Sequence, residues 1–285
     1  MTTMADLQTP NMPTWCPGCG NFPIWVSFKN AAVSQDWNNK NTSIVAGIGC
    51  HGHLVNFTKM TAIEGLHGRP LPVASGLKLA NPSLNVFVFT GDGDCFGEGG
   101  NHFIHSARRN HNLTVILHDN GLYALTTGQT SPLTQHNVKT KSTPNGNPDF
   151  PLNPLVMAIS AGATFVARCY ASDMQQLQEM MIKANNHQGF AIIDILQPCV
   201  TFNKILTHQF YQENTYYLPD THNKSDKIEA LKKAYEFGEK NIPLGIFYEE
   251  QKTPFEKEFQ HLENQDLIKI DVSNRSLEKT FEKYY

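Results

Sequence analysis

Two short segments of this 285-residue chain bear most directly on chemistry: Thr90-Gly91-Asp92-Gly93-Asp94 and Asp119-Asn120-Gly121-Leu122-Tyr123. Each closes an apolar run, Asn85 to Thr90 and Leu113 to Leu117, rich enough in β-branched or aromatic residues to read as a buried strand. Asp92 and Asn120 are therefore expected at strand carboxyl ends, where open α/β sheets place their ligands. The Asp92 carboxylate, the Asn120 amide oxygen and a free backbone carbonyl are hard oxygen donors that suit Mg²⁺, and such a cation would bridge to phosphate oxygens. Gly91 and Gly93 let backbone approach a bulky anion with no Cβ in the way, and Asp94 completes this candidate diphosphate loop. The plainer reading is a pair of ordinary turns, because Asp, Asn and Gly are default turn residues. Two such turns capping two apolar strands in succession weigh against it. Thr126 to Ser131 follows directly, so its side chains, Thr127 among them, are expected to face the bound substrate.

Six cysteines form the second source of chemistry. Cys16-Pro17-Gly18-Cys19 is a C-x-x-C turn opened by Pro and Gly, so both sulfurs can point at one object. Cys50 ends the strand expected up to Gly49, and Cys199 follows the strand Phe190 to Leu196 through Gln197 and Pro198. These positions can converge on the sheet edge that carries the diphosphate site. Cys95 and Cys169 lack such context and read as small buried hydrophobes. A redox pair would use Cys16 and Cys19 alone. A structural zinc wants four thiolates, usually as two close pairs, and here the second pair is split. An iron–sulfur cluster accepts thiolates from scattered positions. Spacing leaves cluster and zinc level, with the redox pair behind.

The elements that must position these groups alternate. Strands are expected over 43–49, 85–90, 113–117, 164–169 and 190–196, and helices over 23–34, 100–109, 155–161 and 173–185, with a further helix starting in 52–60. That rhythm predicts an α/β fold, a parallel sheet covered by helices on both faces. The polar stretch Thr126 to Asp149 is long for a loop in a compact domain, and such loops are usually functional or disordered. From about Pro219 the composition shifts to Lys and Glu. Residues 1–218 thus read as a cofactor-binding domain with the cysteines, and 219–285 as a C-terminal extension with a polar helix over 227–240 and a tail.

Composition excludes several classes. The net charge is −3, with no basic run or repeated aromatic platform, so nucleic acid is not expected. No apolar run is long enough for a bilayer, and the amino terminus lacks the basic head and apolar stretch of a signal peptide. A cytoplasmic location is expected, with the cysteines as reduced thiols or metal ligands rather than disulfides.

The paired strand-end segments resemble the thiamine diphosphate motif, GDG followed by an Asn pair, with Asp119 in the first Asn place. Four more ordered motifs, Thr14-Trp15-Cys16-Pro17-Gly18-Cys19-Gly20, Gly47-Ile48-Gly49-Cys50, Leu66-His67-Gly68-Arg69-Pro70 and Gly99-Gly100-Asn101-His102, precede or flank them. With Gln197-Pro198-Cys199-Val200-Thr201-Phe202-Asn203 downstream, the chain resembles the beta subunit of a 2-oxoacid:ferredoxin oxidoreductase from about Thr14 to Tyr248. The resemblance implies coenzyme A-dependent oxidative decarboxylation of a 2-oxoacid with electrons passed to ferredoxin, 2-oxoglutarate being favoured and pyruvate next. It implies thiamine diphosphate at Gly91, Asp92, Gly93, Asp94, Asn120 and Leu122, with Cys50 and His67 beside it. Mg²⁺ would sit on Asp92, Asn120 and Leu122. A 4Fe–4S cluster on Cys16, Cys19, Cys50 and Cys199 would decide the choice against zinc.

His67 becomes the candidate catalytic contact near the thiazolium or the substrate carboxylate. Arg69 reads equally as a salt-bridge partner, Asn101 and His102 as structural, and Arg108 and Arg109 as complements to a helix dipole. Several positions depart from the family pattern: His51 where Ser is common, Cys95 for Ala, Ala124 for Gly, and Thr127 where many members carry Lys. A lysine at 127 would offer a point charge to a distal carboxylate, whereas Thr127 offers a hydroxyl. The glutamate that thiamine enzymes need beside the aminopyrimidine belongs, by the resemblance, to a larger alpha or fused gamma-alpha subunit, so this chain is half of an active site. Two rival readings are a non-enzymatic Fe–S or zinc protein on a vestigial cofactor fold, opposed by intact Asp92 and Asn120, and a stand-alone thiamine decarboxylase or synthase. The latter is opposed by the cysteines and the missing second domain.

Overall fold

A computed structural model describes residues 1–237, 241–259, 267–271, 273, 277–282 and 284. The strands in chain order are β1 (Thr42–Ala46), β2 (Thr61–Glu64), β3 (Asn85–Gly91), β4 (Leu113–Asp119), β5 (Leu122–Tyr123), β6 (Gln129–Thr130), β7 (Phe165–Tyr170), β8 (Phe190–Leu196), β9 (Thr215–Tyr217) and β10 (Ile242–Glu249). Eight of them form one sheet in the spatial order β2-β1-β3-β4-β8-β7-β10-β9, and β5 and β6 make a small antiparallel ladder of their own. The large sheet is parallel except where β10 runs antiparallel to β7.

Its helices are α1 (Asn21–Ser34), α2 (Leu54–Phe57), α3 (Pro70–Ala80), α4 (Gly100–Arg109), α5 (Pro154–Ala161), α6 (Met174–Asn186), α7 (His208–Asn214) and α8 (Lys227–Ala234). Burial on both faces follows from strand alternation. Phe87 and Phe89 of β3 pack with Ile24 and Phe28 of α1 and Met181 of α6, while Val86 and Val88 point the other way against Leu71 of α3, Phe103 of α4 and Leu155 of α5. Each fully buried side chain of this size contributes roughly 1.5–3 kcal/mol. Among the described residues no helix is long and apolar enough to cross a membrane.

Register sets the site. Ala46 lies opposite Phe89, Gly91 opposite His118, and Asp119 opposite Leu196, so β1, β3, β4 and β8 end at nearly one level. Cys50, Asp92, Asn120 and Cys199 follow these four ends and share one edge of the sheet.

Some elements differ from expectation. The helix expected within 52–60 shrinks to α2, because Thr58 turns extended (φ −125°, ψ 119°) and its hydroxyl accepts a hydrogen bond from Trp25 Nε1 at 3.0 Å. Strand β2 escaped notice because it is an edge strand with mostly exposed side chains and no apolar run. Strand β10 belongs to the stretch after Pro219, yet it extends the main sheet. The polar helix expected over 227–240 is seen as α8, which ends at Ala234; residues 238–240 and much of the tail lie outside the described residues. The long loop after Tyr123 is ordered by its own polar contacts. Thr130 Oγ1 lies 2.7 Å from both Thr140 Oγ1 and Thr143 Oγ1, and the buried Asn147 side chain donates to the Thr134 carbonyl at 2.9 Å.

Candidate active site

Strand β3 delivers Asp92 to the foot of a six-residue π-helix, Gly93–Glu98. Glycine is required at its first position, since a Cβ on Gly93 would lie 2.3 Å from the Tyr123 ring. Asp92 is buried, and its carboxylate accepts a hydrogen bond from the Ser131 hydroxyl. Burial pushes its carboxyl above the usual carboxylate range, although Ser131 and the Gly93 and Asn120 backbone N–H groups pull the other way. A carboxylate so placed lacks a counter-charge, and a bound cation would supply it. Asn120 folds back on its own loop, its Oδ1 accepting from Leu122 N at 2.9 Å, while Gly121 takes φ +66° to make the turn. An amide oxygen has a second lone pair free for a metal. Asp92, Asn120, Leu122, His67, Cys50 and His51 line one cavity of about 60 Å³. The donor set of a buried carboxylate, an amide oxygen and a nearby carbonyl fits Mg²⁺.

Asp94 is placed differently from Asp92. Its Oδ1 accepts from Gly68 N at 2.7 Å and Ile48 N at 3.1 Å, and its Oδ2 accepts from Thr90 Oγ1 at 2.6 Å. Burial raises its carboxyl pKa while these three donors oppose the rise. Asp94 thereby ties the loop after β1 and the Leu66–Arg69 loop to the end of β3. Gly47 must lack a side chain, because a Cβ there would lie 1.8 Å from Asp94 Oδ2. His67 Nδ1 lies 3.3 Å from Asp94 Oδ1 without a hydrogen bond between them, and the imidazole, with 37% of its side chain exposed, lines the cavity. Arg69 is exposed at the start of α3, and neither Asn101 nor His102 caps α4.

Sequence reasoning gave no role to two buried histidines. His51 fits its place because Gly49 and Gly91 have no Cβ, which would come within 2.6 and 3.0 Å of the ring. Burial, with His67 and His53 nearby, drives its pKa down to about 3, so the ring is neutral. His118, 5.5 Å away ring to ring, is also held neutral by burial, and its Nδ1 lies 2.9 Å from Asn21 Oδ1 and 3.0 Å from Gln197 Oε1. A lone histidine in a sequence carries no such signal. Asp119, beside Asn120, is buried too. Burial and the neighbouring Asp194 and Asp92 carboxylates push its pKa well up, opposed by Arg168.

The cysteines converge. Cys16, Cys19, Cys50 and Cys199 line one cavity of about 310 Å³ with Trp15 and Phe202. Gly18 (φ +82°) and a hydrogen bond from Cys19 N to the Cys16 carbonyl at 2.9 Å make the first turn. Gly20 N donates to the Pro198 carbonyl at 3.3 Å, stitching that turn to the end of β8, and Trp15 Nε1 donates to the Cys50 carbonyl at 2.6 Å. Burial pushes Cys19 up to about 11 and Cys50 up to about 12, and the surrounding thiols add to both. Thiols in this state become thiolates only with metal to compensate them. Among the described residues no three His, Cys, Asp or Glu side chains close on a point as ligands of one ion would. Four cysteine sulfurs around one cavity are a donor set that suits an iron–sulfur cluster or a zinc ion. Cys95 and Cys169 are buried apart, with pKa values raised by burial.

The stretch after the metal loop divides its tasks. Thr126 lines the small cavity, Thr127 and Gly128 line a separate one of about 420 Å³, Thr130 turns to Thr140 and Thr143, and Ser131 bonds Asp92. Thr130 and Ser131 thus engage other residues of the chain, while Thr126 and Thr127 line two different cavities.

Comparison with known proteins agrees with this architecture. Residues 47–195 match the family described as thiamine pyrophosphate enzyme, C-terminal TPP binding domain, and residues 199–264 match the C-terminal region of the pyruvate ferredoxin oxidoreductase beta subunit. The chain is 44% identical over 259 residues to the 2-oxoacid:ferredoxin oxidoreductase subunit beta of Sulfolobus sp, covering 86% of this chain and 85% of that protein. It is 41% identical over 200 residues to the 2-oxoglutarate synthase subunit KorB of Archaeoglobus fulgidus, covering 70% and 74%. A solved structure of 2-oxoglutarate:ferredoxin oxidoreductase from Magnetococcus marinus, with 2-oxoglutarate, coenzyme A and succinyl-CoA bound, superposes with a TM-score of 0.90 at 34% identity. That match covers 100% of this chain and 96% of the other. With the strand-end motifs, the cysteine cavity and the sheet order all in agreement, the chain belongs to the family of 2-oxoacid:ferredoxin oxidoreductase beta subunits.

Proposed function

We propose that this chain is the diphosphate-binding half of a coenzyme A-dependent 2-oxoacid:ferredoxin oxidoreductase, with 2-oxoglutarate as its oxoacid. One observation carries the reading: the metal-loop cavity and the four-cysteine cavity share a wall made of Cys50, Asn120, Ala124 and Leu125. When bound, thiamine diphosphate supplies the electron sink for loss of CO₂ and a 4Fe–4S cluster accepts single electrons, chemistry that requires the two to be neighbours.

The chain's own residues would position and insulate. Asp92, Asn120 and the Leu122 carbonyl hold Mg²⁺, with Ser131 fixing the direction of the Asp92 carboxylate. Gly91 and Gly93 let backbone approach the diphosphate. His67, beside Asp94, offers a polar edge on the cavity side. Neutral His51 and His118 add no charge behind the site, and their burial keeps water out. Cys16, Cys19, Cys50 and Cys199 hold the cluster.

No glutamate of the described residues lines the small cavity. That supports a larger alpha, or fused gamma-alpha, subunit supplying the missing acid and closing the site. Ferredoxin would collect the electrons, and coenzyme A the acyl group. The oxoacid is assigned by likeness to relatives named for 2-oxoglutarate and to a neighbour that binds it.

The test is anaerobic purification of the chain alone and with its partner subunit, then assay of 2-oxoglutarate and pyruvate with coenzyme A and a ferredoxin or viologen acceptor. Activity is expected only from the complex, with the higher kcat/KM for 2-oxoglutarate. Robust turnover by the isolated chain would refute the half-site, and a preference for pyruvate would refute the substrate.

A further inference from the structure

Thr127 is a β-branched residue held at φ +77°, a left-handed backbone that such residues rarely adopt. The strain is imposed by its surroundings. Thr127 N donates to the Ala124 carbonyl at 3.1 Å and Gly128 N to the Tyr123 carbonyl at 3.0 Å, while Gly128 itself sits at φ +89° against Phe202. The long loop returns to this turn, with Lys141 N donating to the Gly128 carbonyl at 3.3 Å. Lys141 Nζ then donates to Thr127 Oγ1 at 2.6 Å. The strained turn thus presents a hydroxyl that holds an ammonium in place.

That ammonium stands at the mouth of the cavity of about 420 Å³, whose wall includes Lys139, Lys141, Lys204 and Phe202 but no aspartate or glutamate. Lys204 Nζ is occupied by the Val200 carbonyl at 2.8 Å, and none of the three lysines pairs with a carboxylate among the described residues. An apolar hollow ringed by unmatched cations favours an anionic ligand. It also adjoins the small cavity beside Asp92. Leu122 lines both this cavity and the small one, and Thr126 of the small cavity is the chain neighbour of Thr127.

We propose that Lys141, held by Thr127, is a specificity-determining residue that receives the far carboxylate of a dicarboxylic 2-oxoacid. This rests on the oxidoreductase reading above. A lysine from the returning loop thereby brings to the turn a positive charge that Thr127 itself lacks. A monocarboxylic oxoacid has nothing to place there, so the contact favours 2-oxoglutarate selectively rather than raising turnover of every substrate.

The test uses the assembled complex with Lys141→Met, Lys141→Arg and Thr127→Val, each checked for unchanged iron and thiamine content. Lys141→Met is expected to lower kcat/KM for 2-oxoglutarate about ten- to a hundredfold and to leave pyruvate within about twofold. Lys141→Arg should recover much of the loss, and Thr127→Val should give a smaller loss of the same selective kind. Equal losses for both oxoacids, or none for either, would overturn the proposal. So would a change confined to KM for coenzyme A, which would give the lysine cavity to the phosphates of that substrate. Should the unmodified complex prefer pyruvate, the substrate reading fails, and the Lys141 proposal is still decided by whether Lys141→Met shifts the ratio of the two oxoacids.

Discussion

The hydroxyl of Ser131 hydrogen-bonds the carboxylate of Asp92 across 39 positions of chain. The long polar loop, and not the strand end alone, therefore sets which way the proposed metal carboxylate points. Ser131 engages its Oδ2.

Asp92→Ala should abolish Mg²⁺-dependent binding of thiamine diphosphate by the assembled complex. Ser131→Ala should weaken it by about 1 kcal/mol, the usual worth of one hydrogen bond. Calorimetry with and without Mg²⁺ reads both, and unchanged affinity in Asp92→Ala would remove the metal assignment.

Anaerobically purified protein should carry about four irons per chain, the content of one cubane. Serine at Cys16, Cys19, Cys50 or Cys199 should lose them, whereas Cys95→Ser and Cys169→Ser should keep them. Metal analysis decides the matter, and zinc in place of iron would contradict the cluster.

Beneath the site, Arg168 Nε donates to Asp194 Oδ2 at 2.8 Å with both side chains fully buried, and the guanidinium lies 4.9 Å from the centre of the Phe237 ring. Asp194→Asn should destabilise the fold by about 3–5 kcal/mol, because it strands a buried charge. The double change Arg168→Met with Asp194→Leu should cost much less. Urea denaturation of the two variants compares them directly; equal losses would show that packing, not charge, governs this pair.

Lys78 in α3 is buried, and its Nζ donates to the Leu84 carbonyl at 2.5 Å. Burial lowers its pKa to about 8 from 10.5. Below pH 8 both folded and unfolded chains hold the proton. Between about 8 and 10.5 the unfolded chain binds it and the folded chain does not, so this residue's contribution to stability rises with pH. The stability difference between the unmodified chain and Lys78→Met should shift towards the unmodified chain by up to about 3 kcal/mol across that window. Denaturation curves at several pH values would show it, and a flat difference would mean that Lys78 remains charged throughout.

Asp92, Asn120 and the four convergent cysteines were legible in the sequence because each lies just past an apolar run or beside the Pro17-Gly18 turn, signals that act over a few residues. Asp94 was legible as part of GDGD but not in its task, since its donors come from Ile48 and Gly68, far along the chain. Ser131 was hidden inside a Thr-rich stretch where no local pattern marks which hydroxyl reaches Asp92. His51 and His118 were hidden because burial, which keeps them neutral, is a property of the packed sheet edge. The helix after Gly52 was overextended because Thr58 is claimed by Trp25, a tertiary contact that overrides local propensity. Edge strand β2 carries no apolar periodicity to read.

Cys50, Asn120, Ala124 and Leu125 each face two cavities at once. A change of side chain at any of them reshapes both cavities at once, so the two are geometrically linked at this wall. Variation that retunes one side alone must come from residues that touch only that side, such as Trp15 beside the cysteines or His67 beside the metal loop.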